Sequence, residues 1–212
     1  MNRKTATLTV LTLCCLLSAP AAQAGGTIRG GDGGYDAIAG GAWDLTLVDA
    51  IFLSRYTILD DTSMHSLSFF GGPGLRMFAA KNFSIHFTPA FTYDLETVED
   101  DSSSTWSLLP MLGVDYYLNL PGNFFLKPGL SVGYYWGQKS VDLGGGISQD
   151  STISGFAGRI QFMLVYYAGP NWNLRGGLDL LLRCGSDDPD PGEELTATLL
   201  NTGFSIGIGY TF

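Results

Sequence analysis

From Trp43 to Phe212 apolar and polar residues take turns along the chain. In 83–94, FSIHFTPAFTYD, Phe83, Ile85, Phe87, Phe91 and Tyr93 share one face, and Ser84, His86, Thr88, Thr92 and Asp94 share the other. In 172–183, WNLRGGLDLLLR, Trp172, Leu174, Leu178, Leu180 and Leu182 oppose Asn173, Arg175, Asp179 and Arg183. Trp106, Leu108, Leu112, Val114 and Tyr116 oppose Ser107, Gly113 and Asp115. A period of two belongs to a pleated strand with unlike faces. The pattern predicts eight strands, over about 46–58, 64–79, 83–96, 105–118, 124–139, 153–168, 172–185 and 198–212. Three gaps between them are tight: KN at 81–82, NLPGN at 119–123 and GPN at 169–171. The other four are longer and polar, at 59–63, 98–104, 141–152 and 186–197. Tight turns on one side and long loops on the other are the rhythm of an up-and-down antiparallel barrel. The first strand is irregular: Ile51 and Leu53 share a face with Asp49 and Arg55, a pattern compatible with a bulge.

The chain opens on MNRKTATLTVLTLCCLLSAPAAQAGG, with Arg3 and Lys4 ahead of an apolar run and an A-x-A site at 22–24. This reads as a secretory signal peptide over 1–24, excluded from fold reasoning. A membrane anchor is the alternative, but the run is shorter than the roughly 20 residues of a spanning helix. Cys14 and Cys15 lack the small residues expected before a lipidated cysteine, and they leave with the signal. The mature chain then keeps Cys184 alone, so no internal disulfide is expected. Loss of Arg3 and Lys4 leaves 9 basic residues against 20 acidic ones, a net of −11, which speaks against nucleic acid as a partner. Residues 25–42 hold eight glycines and read as a flexible lead-in. GGDGG there lacks the flanking strand and helix of a phosphate loop. A single barrel domain is expected over 43–212.

Charged residues are 15% of the chain, against about 25% in ordinary soluble domains. No apolar run after the signal approaches helical spanning length. Only helices and closed barrels pair every backbone group within a bilayer, which leaves a barrel as the membrane option. A soluble barrel would show the same alternation with its apolar face inward. The charges argue against that. Arg55, Arg76, Lys127, Arg159, Arg175 and Arg183 fall on the polar face with Asp49, Asp94, Asp115 and Asp179. Facing lipid, each Arg or Lys near the midplane would cost roughly 2–4 kcal/mol; facing a lumen, opposite signs can pair. The lumen is therefore assigned Asp49, Arg55, Arg76, His86, Asp94, Asp115, Lys127, Arg159, Arg175, Asp179 and Arg183. Inward glycines at 72, 113, 133, 177 and 207 leave room for Phe70, Phe78, Tyr117, Tyr135 and Tyr167, so a packed polar plug with ion pairs is expected. Aromatics gather near the strand ends, as Phe83, Tyr116, Phe124, Tyr166, Trp172, Tyr210 and Phe212 on the tight-turn side and Tyr93, Trp106, Tyr134, Trp136 and Phe156 on the other. Two such girdles suit a spanning barrel.

The last strand, FSIGIGYTF, carries Phe204, Ile206, Ile208, Tyr210 and Phe212 on one face. With the signal peptide and eight strands, it resembles the small outer-membrane barrels of the OmpX/OmpA type over roughly 43–212. The resemblance implies an all-β, eight-stranded antiparallel transmembrane barrel in the outer membrane of a Gram-negative bacterium. It further implies that the β-barrel assembly machinery reads the final strand during insertion, and that the bilayer and its lipopolysaccharide are the surroundings of a monomer. No subfamily motif fixes a function. His65 lies beside Ser66 and Ser68, but neither serine shares its strand face, so no nucleophile–base pair forms locally. His86 reads as a lumen residue bonded to its neighbours. Twelve carboxylates sit in the predicted loops, at 60, 61, 99, 100, 101, 142, 150, 187, 188, 190, 193 and 194. They keep the outer surface polar and lack the spacing of a calcium loop. No metal, cofactor or catalytic residue is expected, and Cys184 reads as a space-filling residue. The expected role is structural or surface-interacting through acidic loops. A narrow passive channel and a lipid-A-modifying enzyme are the alternatives.

Overall fold

The structure is a computed structural model. It describes residues 27–29, 35–59, 62–98, 101–142, 148–189 and 195–212, with 52–59, 62–65 and a few other positions described by backbone alone. The segment assigned to the signal peptide lies outside the described residues. Twelve strands run in chain order: β1 Thr27–Arg29, β2 Tyr35–Ile38, β3 Trp43–Leu59, β4 Thr62–Gly71, β5 Gly74–Ala80, β6 Phe83–Val98, β7 Asp101–Tyr116, β8 Leu118–Asn119, β9 Phe124–Asp142, β10 Ser148–Tyr167, β11 Trp172–Pro189 and β12 Leu195–Thr211. Ten of them form one antiparallel sheet that closes on itself, because β12 pairs with β3 and β10 pairs with both β9 and β11. The result is an eight-stave barrel, as the alternation predicts. β4 and β5 are two halves of the second stave, and β8 is a stub against β9.

The predicted second strand, 64–79, is thus broken at Gly72-Pro73. Its ladder with β6 lapses between Gly71↔Phe91 and Leu75↔Phe87, around Pro73 and Pro89, neither of which has an N–H to donate. The hairpins facing away from the tight turns also run further than predicted. Pairing continues to Val98↔Asp101, Asp142↔Ser148 and Asp187↔Leu195. Asp142, Asp150, Asp187 and Asp188 therefore sit on strands rather than in loops. Beyond the apolar band both faces of a strand are polar, so the alternation that marks a strand disappears while the ladder goes on.

The outward face is apolar. Leu112, Leu130, Val132, Phe162, Leu178, Leu200 and Phe204 are all more than half exposed. Aromatic pairs bound this belt. Phe124 and Tyr166 (ring centres 4.8 Å apart) and Trp172 and Tyr210 (5.0 Å) lie at the tight-turn rim, and Tyr134 and Phe156 (5.3 Å) at the other. Ten positions along β9 separate Phe124 from Tyr134. At about 3.4 Å per residue and a tilt near 40°, that is a band about 25 Å tall.

The first stave resolves its irregular pattern with a bulge. β3 pairs Val48 with Ile208 but Thr46 with Gly209, leaving Leu47 as the extra residue. Below the bulge the even residues Asp44 and Thr46 point inward and are buried; above it the odd residues Asp49 and Ile51 do.

The Gly-rich segment departs from expectation in its second half. β1 and β2 form a small hairpin across the tight-turn end of the barrel. Thr27 Oγ1 donates to the Pro170 carbonyl at 3.2 Å. Ile38 N donates to Asn82 Oδ1 at 2.7 Å, and Asn82 N returns a bond to the Ile38 carbonyl at 3.1 Å. Asn82 adopts φ 60° in its two-residue turn, a left-handed conformation that asparagine tolerates. Tyr35, Ile38 and Ala42 are buried in one apolar cluster with Phe78, Tyr117, Phe125, Val165 and Tyr167. Residues 35–42 are a packed floor, not a flexible lead-in. Glycine-rich composition hid the few apolar side chains that do the packing.

Candidate functional site: the charged lumen

The inward residues stack in layers. Above the apolar floor lies a polar belt built on Asp44. Its carboxylate accepts from Arg175 Nη2 at 2.5 Å, Arg76 Nη1 at 3.0 Å, Asn173 Nδ2 at 2.8 Å and Thr211 Oγ1 at 2.9 Å. Arg76 Nε also donates to Asp115 at 2.7 Å. Lys127 Nζ lies 3.7 Å from Asp115 and donates to Gln161 Oε1 at 2.7 Å. One step higher, Arg159 bridges Asp179 at 2.5 Å and Asp49 at 3.4 Å. The Arg159 guanidinium also stacks over the Phe70 ring at 4.9 Å. A second apolar layer follows, made by Ile51, Phe70, Ala90, Leu109, Met111, Tyr135, Ile153, Ala157 and Leu181. Thr92 and Ser107, 2.6 Å apart, and the Arg183–Asp94 pair, 2.7 Å, lie towards the long hairpins.

The structure brings together ten of the eleven lumen residues assigned from the sequence; the side chain of Arg55 lies outside the described residues, as does that of His65. Asp44, the hub of the belt, was missed. The predicted strand began at Thr46, and only the bulge at Leu47 lets Asp44 and Asp49, five positions apart, face the same way. The polar plug with ion pairs takes the form of a belt between two apolar layers, which hold the inward Phe70, Phe78, Tyr117, Tyr135 and Tyr167. Among the described lumen residues five cations (Arg76, Lys127, Arg159, Arg175, Arg183) meet five carboxylates (Asp44, Asp49, Asp94, Asp115, Asp179). Removing either member of a buried pair strands a charge, so the belt holds together only as a set.

Glycine makes the space for this. A Cβ at Gly113 would lie 2.7 Å from the His86 ring, one at Gly129 would strike the Asp115 carboxylate, and one at Gly209 would strike the Arg175 guanidinium. Beyond the band, Lys139 Nζ donates to Asp187 at 3.0 Å. Partial burial raises the Asp187 carboxyl, but bonds from Ser151 and Lys139 outweigh it and hold the group below its ordinary range.

One cluster has the order of a hydrolytic triad. Ser131 Oγ is 3.2 Å from His86 Nε2, and His86 Nδ1 is 2.9 Å from Asp115 Oδ2, though off hydrogen-bond alignment. Sequence reasoning did not find it, because the three residues come from β9, β6 and β7. All three are buried, and Asp115 is already engaged by Arg76. A nucleophile needs room for an acyl carbon beside it and donors for the developing oxyanion. The cavity nearer the long hairpins touches none of the three.

The residues of the last strand face outward, with Phe204 and Ile206 at least half exposed. Phe212 closes the ring: its N and O each bond Trp43 at 2.7 Å. No protein-family model and no curated protein matches the sequence. Among solved structures, the chain is similar to the Neisserial surface protein A, with a TM-score of 0.51 and 18% identity over 81% of this chain and 99% of that one. It also matches the Escherichia coli outer membrane protein W (TM-score 0.43, 16% identity, 82% and 98% covered). The N-terminal β-barrel domain of Pseudomonas aeruginosa OprF gives 0.39 and 16%, with 82% and 98% covered. The fold is that of the small eight-stranded outer-membrane barrels.

Proposed function

We propose that this chain is an integral outer-membrane β-barrel whose lumen is a packed core of paired charges with no end-to-end channel and whose dealings with the outside run through its extended acidic hairpins. The observation that carries this reading is the interior. An apolar floor, a paired polar belt and a second apolar layer fill the barrel in turn. The apolar belt supports placement in a bilayer, since a surface with this many exposed Leu, Phe and Trp side chains is insoluble in water. Export by the signal peptide, insertion by the assembly machinery through the last strand, a monomeric state and a lipopolysaccharide environment belong to the same proposal. The test is planar-bilayer recording of purified protein: no steady unitary current is expected. Reproducible openings would favour the passive channel instead. The Ser131–His86–Asp115 geometry favours the enzyme alternative, but its enclosure speaks against it. Lipid A mass spectra from cells with and without the gene decide, and no difference is expected.

A further inference from the structure

Among the described residues, the longest unpaired stretch in the barrel wall lies between β12 and β3. The ladder between β12 and β3 ends at Phe204↔Phe52. Nearer the long hairpins, residues 195–203 pair only with β11 and residues 53–59 only with β4. Ten positions from Tyr210 at the tight-turn rim reach Leu200, so the first part of this gap falls inside the apolar band. Unpaired backbone groups do not face hydrocarbon unless something polar meets them. Behind the gap lies a cavity with about 10 Å³ of free space, room for one water-sized group. Its lining includes Asn201 and Gly203 of β12 and Ile51 of β3, the two strands that flank the gap, together with Thr92, Asp179 and Arg183.

Two buried atoms in that lining have no hydrogen-bond partner among the described residues: Asp179 Oδ2 and Arg183 Nε. Each belongs to a side chain at least nine-tenths buried and already anchored by its other end, Asp179 on Arg159 and Arg183 on Asp94. One atom is an acceptor and the other a donor. A hydroxyl satisfies both and is the size of the cavity. Outside the gap, Leu200 and Phe204 present exposed apolar side chains. We infer that the gap is a side entrance for the hydroxylated head of a sugar-bearing outer-leaflet amphiphile, one hydroxyl donating to Asp179 and accepting from Arg183, its chain lying over Leu200 and Phe204. This rests on the outer-membrane reading above.

The test uses full-length ¹⁵N-labelled protein folded in lauryldimethylamine oxide, a detergent without hydroxyls. The Arg183 Nε–H signal is assigned by its loss in Arg183→Lys. Added dodecyl maltoside is expected to shift that signal saturably while those of Arg76 and Arg175, enclosed in the belt, stay in place. Asn201→Leu, which fills the cavity, is expected to abolish the shift. Resistance to SDS without heating, read on the same samples, reports the barrel itself, so failure of the outer-membrane reading is seen separately. No shift with the glycolipid probe would overturn the inference and leave the cavity to water. An equal shift with maltose alone would overturn the lateral route, because a free sugar would then be entering from the aqueous end. If Asn201→Leu does not fold, the wild-type contrast between the two sugars still decides.

Discussion

Trp43 and Phe212 exchange two backbone hydrogen bonds of 2.7 Å, so the first and last staves are joined at the tight-turn rim by a reciprocal pair. The bonds use main-chain atoms, while both side chains lie towards the outer surface. Ring closure and ring chemistry are therefore separable. Phe212→Ala is expected to refold into detergent with a loss of about 1 kcal/mol or less, since its ring is already partly exposed. If the assembly machinery reads the aromatic ring, the same variant will insert poorly in cells. Pulse-chase recovery of the SDS-resistant form, set beside the in vitro urea midpoint, measures the difference. Equal impairment in both would remove the case for recognition.

Asp44 makes the sharpest energetic prediction. It is fully enclosed and accepts from Arg76, Arg175, Asn173 and Thr211. Asp44→Ala leaves Arg175 with no carboxylate and Arg76 with Asp115 alone, and is expected to cost about 3–5 kcal/mol, read as a fall in the chemical unfolding midpoint in micelles. Asp187→Ala, in the partly exposed pair with Lys139, is expected to cost under about 1 kcal/mol. The Asp187 contribution also has a pH signature. Its carboxyl titrates below the ordinary range when folded, so the stabilisation is present above the unfolded carboxylate's range and fades as pH falls through the folded one. Asp187→Asn should flatten that part of an acid titration of stability.

How much of this could be read without coordinates follows from where alternation holds. Within the apolar band most inward Arg, Asp and His residues stand between two apolar neighbours, as Arg76 does between Leu75 and Met77 and Asp115 between Val114 and Tyr116, and period two alone places them. Where the backbone adds a residue, as at Leu47, period two misplaces everything beyond it. Asp44 was lost for that reason. Outside the band there is no apolar face left to alternate, so the strands around Asp142 and Asp187 looked like loops. The inward apolar layer around Leu109 and Met111 was hidden too, because apolar residues on both faces read as noise in the pattern. The Ser131–His86–Asp115 cluster needs three staves brought into register, and nothing local announces it.

Inward glycines are expected to be far less replaceable than outward ones. A Cβ at Gly113 would meet the Leu130 carbonyl at 2.5 Å and the His86 ring at 2.7 Å, whereas Gly158, on the outward face, has nothing within 4 Å of the same atom. Gly113→Ala should cost about 1–3 kcal/mol through overpacking. Gly158→Ala should be neutral or slightly stabilising, because it removes unfolded-state freedom without a clash. Unfolding midpoints of the two variants in one detergent give the comparison, and equal effects would contradict the packing.

The floor supplies the last test. Ile38 is fully buried, bonded through its backbone in both directions to Asn82, and packed with Phe78 and Tyr117. If residues 35–42 are part of the folded core, Ile38→Ala leaves a cavity beneath the polar belt and should cost about 2–5 kcal/mol. If instead the segment hangs free in solution, the substitution touches nothing and the unfolding midpoint stays where it is. Hydrogen exchange separates the same two cases without a mutation. The Ile38 and Gly41 amides, bonded to Asn82 Oδ1 and the Phe78 carbonyl, should exchange slowly, at rates approaching those of the staves, whereas amides of an undocked lead-in would exchange at once.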